Sequence, residues 1–149
     1  MASHLVHATC VALQDVGLLL RGPSGAGKSD LALRLMDGGA RLVADDQVLL
    51  EAQGGRLIAQ PPALLAGKLE VRGIGILQTD HQASVQLRLC ADLRPAAQIQ
   101  RLPEPRTIEF FGVPVLLIEL DPFEASAAAK LRLVARGLAT LQQSSQGKG

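Results

Sequence analysis

The chain has 149 residues, 48% of them hydrophobic, which is the size of one ordinary domain with enough apolar material for one continuous core. Its formal net charge is +1 and its aromatic content is 2%. These values indicate neither a basic footprint for nucleic acid or an anionic membrane nor the base-stacking platform of a single-strand binder.

The amino-terminal part predicts two strands that lead into a helix. The apolar, β-branched stretch 5–13 predicts a strand, and turn residues then lead to a second strand over 17–21, where three consecutive leucines indicate burial on both faces. Beyond a glycine-rich segment at 22–29, good helix formers predict a helix that ends at Gly38-Gly39.

The middle of the chain predicts further strands. Residues 41–45 indicate a strand that ends in two aspartates, and residues 48–52 and 56–59 predict a hairpin around Gln53-Gly54-Gly55. Residues 69–77 predict a strand that enters a loop.

The last part alternates between strand, loop and helix signals. The alternation over 83–93 predicts a half-buried antiparallel strand, and the proline-bearing stretch 94–106 predicts a mobile loop. Further strand signals follow over 107–120, and Asp121-Pro122-Phe123-Glu124 is typical of a helix start that precedes helical composition over 127–141.

Domain limits, location and cysteine state follow from the same sequence. We expect a single domain over 1–143, a disordered tail over 144–149 and a cytoplasmic protein, because the chain shows no leader or membrane-spanning run. Cys10 and Cys90 lie outside any C-x-x-C pair or zinc-type spacing, so we expect both to be buried apolar residues.

One motif carries specific chemistry. Residues 22–29 read Gly22-Pro23-Ser24-Gly25-Ala26-Gly27-Lys28-Ser29 and match G-x-x-x-x-G-K-[ST] in full, between a predicted strand and a predicted helix. Glycines let successive backbone amides turn inward, and the helix N-terminus adds partial positive charge where phosphates bind. We therefore predict a P-loop in which Lys28 reaches the β- and γ-phosphates of ATP and Ser29 supplies a ligand to Mg²⁺.

Acidic residues follow at positions that could complete such a site. Asp45 and Asp46 lie at the carboxyl end of a predicted strand, where open α/β sheets bind ligands, although adjacent strand residues face opposite ways unless the strand is already ending. A solvated turn is the alternative for this pair. Glu70 and Arg72 share a face if their segment is extended, and a surface ion pair is the alternative there.

Taken together, these blocks resemble the catalytic, carboxyl-terminal domain of the HPr kinase/phosphorylase family. The matching blocks are His7, the P-loop at 22–29, Leu42-Val43-Ala44-Asp45-Asp46 and Leu69-Glu70-Val71-Arg72-Gly73-Ile74-Gly75-Ile76. The resemblance implies an α/β P-loop fold with a mixed, largely antiparallel-flanked sheet of the HPr kinase/phosphoenolpyruvate carboxykinase type. It also implies an ATP- and Mg²⁺-dependent transferase that phosphorylates a serine of HPr, a carrier of the phosphotransferase system.

The resemblance also implies residue roles. Lys28 would bind phosphate, and Ser29, Asp46 and Glu70 would surround Mg²⁺. Asp45 would be the catalytic acid/base, assisted by a nearby His7. Arg72 would contact phosphate or the aspartates, and Arg101 would match the mobile arginine of the family. In the reverse reaction, inorganic phosphate would attack the phosphoserine and yield pyrophosphate.

The chain also departs from the family pattern. The first match is only the seventh residue, so we expect a short form without the amino-terminal domain, and Leu120-Asp121-Pro122-Phe123 stands where the family carries a Pro-Gly-Arg-Asn segment. The expected partner is an HPr-like carrier, with neither nucleic acid nor membrane. A homo-oligomer is also expected. The family forms a hexamer, and these departures affect segments that could make its contacts.

Two other functions are compatible with the same motif. A P-loop kinase or NTPase for a small molecule predicts an enclosed acceptor pocket rather than an open groove. A regulatory module that senses ATP without turnover predicts binding and no transfer.

Overall fold

A computed structural model describes residues 3–147, in which strands and helices follow the periodicity of the apolar residues. The elements of this part are β1 (His4–His7), β2 (Thr9–Leu13), β3 (Val16–Arg21), α1 (Lys28–Asp37), β4 (Arg41–Ala44), β5 (Gln47–Gln53), β6 (Arg56–Gln60), β7 (Lys68–Val71), β8 (Gly75–Gln78), β9 (Val85–Leu93), β10 (Arg106–Phe110), β11 (Val113–Leu120) and α2 (Ala127–Gly147).

Nine of these strands form one mixed sheet, and the other two form a separate ribbon. The main path is β1-β5-β6-β9-β3-β2-β4, with β11 paired to β9 and β10 paired to β11. β9 is parallel to both β3 and β11, whereas the pairs toward the flanks are antiparallel. The predicted α/β fold with a mixed, antiparallel-flanked sheet is confirmed.

The sheet curls so that it encloses one core and presents its other face to the helices. Residues of β5 and β6, such as Leu50 and Leu57, pack with residues of β2 to β4, such as Cys10 and Val43. A second core lies where α1 and α2 cover the sheet, and it contains Leu31 and Leu131. In β3, Leu19 belongs to the first core whereas Leu18 and Leu20 belong to the second, which confirms the predicted burial on both faces.

Two changes of strand partner meet beside the P-loop. A single residue, Ala8, separates β1 from β2, and Asp45-Asp46 separate β4 from β5. At each break the chain changes partner, because β1 pairs with β5 while β2 and β4 pair with each other. The Ala8 amide donates to the Asp46 carbonyl at 3.2 Å, so the two breaks lie side by side. The stretch 5–13, predicted as one strand, is therefore two.

Three predicted elements differ from the structure. The segment 69–77 forms the β7–β8 hairpin rather than a strand and loop, because Gly73 takes a left-handed φ of 84° in the turn. β9 is a central strand that pairs antiparallel with β6 only at its start, at Val85 and Gln86, and is parallel to β3 and β11 beyond it, which alternation alone does not distinguish. The Asp121 carboxylate accepts from the Phe123 amide at 3.0 Å in a local turn, and the helix begins only at Ala127.

Two other predictions concern the carboxyl terminus and the cysteines. α2 continues to Gly147, through positions at which the sequence predicted a tail, since 144–146 contain neither glycine nor proline; residues 148 and 149 lie outside the described residues. The single-domain limit stays a prediction.

Cys10 and Cys90 are free and buried, as predicted. Across the described residues, neither helix combines the length and apolarity that crossing a bilayer requires.

Candidate active site

The P-loop connects β3 to α1 and has the backbone of an anion-binding turn. Gly25 and Gly27 have φ values of 84° and 96°, in the left-handed region where a residue with a side chain would be strained. Gly27 is the N-cap of α1, and its carbonyl accepts from the Leu31 amide at 2.9 Å. The loop therefore ends at the positive end of a ten-residue helix.

Lys28 folds back over the loop from the first turn of α1. Its ammonium group donates to the Gly22 carbonyl at 2.5 Å and to the Pro23 carbonyl at 3.0 Å. These contacts join the two ends of the loop and keep the ammonium group beside the amides that precede α1.

Asp45 is the buried anchor of the site. Its side chain is only 7% exposed, and Oδ1 accepts from the hydroxyl groups of Ser29 at 2.8 Å and Thr9 at 2.9 Å. Oδ2 accepts from the Glu70 backbone amide at 3.1 Å. One carboxylate thus connects the P-loop helix, strand β2 and strand β7.

Asp46 has a different environment although it is the next residue. Its φ of 71° is left-handed, so the chain turns here and the carboxylates of Asp45 and Asp46 line the same cavity. β4 ends at Ala44, which meets the condition under which both acids could serve one site. The Asp46 side chain is 72% exposed, and Oδ1 lies 3.9 Å from Nδ1 of His7.

The register of the sheet explains the position of His7. β1 pairs with β5 so that His7 lies opposite Gln47, the residue after Asp46. The family resemblance implied that His7 lies close to Asp45, and the contact that the structure shows for its imidazole is with Asp46. At 3.9 Å this is an ion-pair distance for a protonated histidine and too long for a hydrogen bond.

Other predicted site residues divide into two groups. Glu70 and Arg72 line the same cavity as the P-loop, from the end of β7 and the turn that follows it. Arg101 lies in the exposed loop between β9 and β10 and does not line this cavity. The structure brings the first group together with the aspartates and leaves Arg101 apart.

Two residues that contact the site were not predicted from the sequence. Thr9 is fully buried and donates to Asp45, and its only sequence signal is a polar residue at the start of an apolar strand. Phe123 lines the cavity, with its ring against Gly27: a Cβ built on Gly27 would lie 3.3 Å from two ring atoms. It was predicted only as part of a helix start.

The cavity has the size and ligands for a metal–triphosphate. Its volume is about 840 Å³, and the residues that line it include four with side-chain oxygen atoms, Ser29, Asp45, Asp46 and Glu70. Within residues 3–147, no three His, Cys, Asp or Glu side chains converge closely enough to hold a metal by themselves. Mg²⁺ usually needs only one or two protein carboxylates, because water and substrate phosphates complete its shell. The donor set therefore fits Mg²⁺ in the presence of phosphate.

An ion pair fixes the strand ends below the loop. Arg21, the last residue of β3, donates to both carboxylate oxygens of Asp92 at 2.7 and 3.0 Å. The hydrogen bond to Asp92 raises the pKa of Arg21, whose guanidinium group is charged at any physiological pH. The bidentate pair holds the parallel strands β3 and β9 together where the P-loop leaves the sheet.

Comparisons with known proteins agree on one family. A family model described as the HPr serine kinase C-terminal domain matches residues 1–102. The HPr kinase/phosphorylase of Burkholderia lata is 37% identical over 127 residues, which cover 78% of this chain and 39% of that relative, and the protein of Burkholderia cenocepacia gives the same values. This chain thus spans 39% of the length of these relatives.

A solved structure has the same fold. The structure of the Hpr(Ser) kinase/phosphatase from Coxiella burnetii superposes with a TM-score of 0.83, covering 94% of this chain and 99% of that chain. The sequence identity is 23%, so this likeness establishes the fold alone.

Proposed function

Because the chain belongs to the HPr serine kinase C-terminal domain family, we propose that it transfers the γ-phosphoryl group of ATP to a serine hydroxyl of an HPr-type phosphocarrier. The observation that carries this proposal is the 2.8 Å hydrogen bond from Ser29 to Asp45, which joins the phosphate-binding loop to a buried carboxylate at the end of β4. P-loop enzymes need this combination of hydroxyl and acid to hold Mg²⁺ against the β- and γ-phosphates.

Mg²⁺, when bound, neutralises charge that develops on the phosphates during transfer. Ser29 and Asp45 are the residues that would hold it, and Glu70, whose backbone amide donates to Asp45, would be a further oxygen ligand. Lys28 would exchange its contacts with the loop carbonyls for phosphate oxygens. The backbone amides before α1 would bind the remaining phosphate oxygens.

The two aspartates are proposed to have roles opposite to those the family resemblance suggested for them. Both oxygens of Asp45 already accept hydrogen bonds from three donors, which suits a group that positions Ser29 and the metal. Asp46 is exposed, lines the cavity and has His7 beside it, which suits a group that takes a proton from an incoming hydroxyl. We therefore place the acid/base at Asp46 and the metal anchor at Asp45.

The transfer then requires only a few actions of the protein's own residues. The serine oxygen bonds to the γ-phosphorus as the bond from that phosphorus to the β–γ bridging oxygen breaks, ADP leaves, and Asp46 receives the serine proton. The reverse activity has inorganic phosphate attack the phosphoserine, with the proton of phosphate passing through Asp46 to the leaving serine and pyrophosphate as product. Arg72 lines the same cavity and would contact phosphate in either direction.

A protein acceptor is favoured by the surface beside the acids. The β7–β8 ribbon, whose first strand carries Glu70 into the cavity, exposes Ile74 and Ile76 to 71% and 72%. Exposed apolar side chains at the rim of a catalytic cavity are typical of a surface that receives another protein. A cytoplasmic location follows from an acceptor of the phosphotransferase system, and the oligomeric state and the role of Arg101 stay predictions.

The test is a transfer assay with labelled ATP, Mg²⁺, purified protein and the HPr-type proteins of the host organism. We expect label on one serine of the carrier, and none on a carrier in which alanine replaces that serine. ATP binding without transfer to any carrier would favour the sensing module instead. Transfer only to small molecules would favour the small-molecule kinase. Phosphorylated carrier incubated with phosphate and Mg²⁺ should release pyrophosphate if the reverse activity is present.

A further inference from the structure

Phe123 is an exposed aromatic residue at the mouth of the cavity. Its side chain is 72% exposed, and the chain has only three phenylalanines and neither tryptophan nor tyrosine. Exposing a ring costs hydrophobic free energy, so its location beside the P-loop calls for a reason. The ring rests on the loop backbone, since a Cβ at Gly27 would lie 3.3 Å from its Cε1 and Cζ atoms.

The segment that carries the ring is fixed to the rest of the site. The Asp121 carboxylate accepts from the Phe123 amide at 3.0 Å, and Pro122 is buried. The Pro122 carbonyl accepts from the guanidinium group of Arg34, on α1. The ring is therefore held by a structured turn, and this turn is attached to α1, the helix that follows the P-loop.

The ring contacts the loop at a different point from the acidic residues. Asp45 reaches the loop through Ser29, whereas Phe123 packs at Gly27, and Leu33, which is 39% exposed, provides a second apolar side chain in the same cavity. A nucleoside triphosphate has charged phosphates and a flat base with apolar faces. The loop and the acids fit the phosphates, and Phe123 with Leu33 fits the base.

We propose that Phe123 is the stacking surface for the nucleotide base, with Leu33 beside it. This assignment rests on the proposed function, because it needs a nucleoside triphosphate whose phosphates occupy the P-loop. Stacking on an aromatic ring tolerates every base, since each has a π-face. Phe123 therefore adds affinity for ATP and GTP alike and adds none for a polyphosphate that lacks a base.

The test compares MgATP, MgGTP and inorganic magnesium tripolyphosphate by calorimetry on the purified protein. Phe123→Ala should raise the dissociation constants of both nucleotides by about fivefold or more, the lower end of base–aromatic stacking. The dissociation constant of tripolyphosphate should not change. Phe123→Tyr should retain nucleotide affinity, whereas Phe123→Leu should lose part of it. Leu133→Ala on α2 is the control, because Leu133 is 67% exposed and does not line the cavity.

The outcomes separate this assignment from the function on which it rests. Equal losses for nucleotides and tripolyphosphate would show that the ring only shapes the loop, and unchanged affinities would show that the base lies elsewhere. Either result overturns the assignment and leaves the kinase proposal in place. A wild-type protein that binds neither nucleotide nor tripolyphosphate overturns the proposed function, and the assignment fails with it.

Discussion

Asp45 and Asp46 show how two identical side chains at adjacent positions acquire different chemistry. Asp45 is surrounded by donors and Asp46 by solvent and His7. We predict that Asp46→Asn lowers phosphoryl transfer by about 100-fold or more, the lower range for a general base, while nucleotide affinity is retained. Steady-state transfer and ATP binding measured on the same samples check this.

Asp45→Asn should behave differently from Asp46→Asn. An amide in place of the carboxylate weakens the anchor of Ser29 and the metal, so Mg²⁺-dependent nucleotide affinity and transfer should fall together. Retained affinity with lost transfer in Asp45→Asn, and not in Asp46→Asn, would restore the assignment that the family resemblance suggested.

Thr9 provides a test of the buried network apart from catalysis. Thr9→Val keeps the shape of the side chain but removes a donor to a carboxylate, so we predict a loss of about 1.5–3 kcal/mol in the free energy of unfolding. Urea unfolding checks this value. Thr107→Val, on the exposed face of β10, is the matched control and should lie within about 0.5 kcal/mol of wild type.

The residues of the site differed in how far the sequence revealed them. The P-loop is contiguous, so its spacing alone predicted its position and conformation. Thr9 and Phe123 contact the site from other elements, and a local pattern holds no information about such contacts. The difference between Asp45 and Asp46 depends on the left-handed φ of Asp46 and on the partners of Asp45, which only the tertiary structure supplies.

Two glycines, one in a strand and one in a helix, should respond to alanine substitution in opposite directions. A Cβ at Gly17 would lie 2.5 Å from the Gln86 carbonyl oxygen, where β3 meets β9, whereas a Cβ at Gly137, inside α2, would meet no atom within 4 Å apart from its neighbouring residues and the backbone of its own helix. Gly17→Ala should therefore destabilise the protein by about 1–3 kcal/mol through overpacking. Gly137→Ala should stabilise it by about 0.5–1 kcal/mol. Thermal and urea unfolding of both variants check these opposite signs.

Pairing between strands joined by a short turn was predictable, and pairing between distant strands was not. Glycine-rich turns and apolar periodicity located the hairpins β2–β3 and β5–β6 and the helix α1. The parallel pairing of β9 with β3 and β11, and the partner changes at Ala8 and at Asp45-Asp46, depend on contacts between distant segments. Alternation of apolar residues predicts which faces are buried and says nothing about the neighbouring strand.

The reactivity of the two buried cysteines reports on global unfolding. Both are fully buried, and burial raises the pKa of each thiol, to about 12 for Cys90. The folded protein should therefore resist thiol reagents at pH 8, and both thiols should react once the chain is unfolded in urea. Rapid modification of either thiol without denaturant would contradict the burial of these strands.

The same thiols make stability depend on alkaline pH. An unfolded cysteine has a pKa of about 8.5, so below that pH both states hold the proton and stability is unaffected. Above it the unfolded state loses the proton first, and the free energy of unfolding should fall by about 1.4 kcal/mol per pH unit for each thiol. Unfolding between pH 7 and pH 10 checks this, with Cys90→Ala as the variant whose dependence should be shallower.

His7 is the last residue of a four-residue strand at the end of the sheet path, and within residues 3–147 that strand pairs with β5 alone. Short edge strands open more readily than the strands they flank, without melting of the interior. Such fraying would withdraw the imidazole from Asp46 and leave the phosphate-binding loop intact. If the proposed function is correct, the protein would then still bind its nucleotide, and mild destabilisation would stop phosphoryl transfer well before the whole chain unfolds.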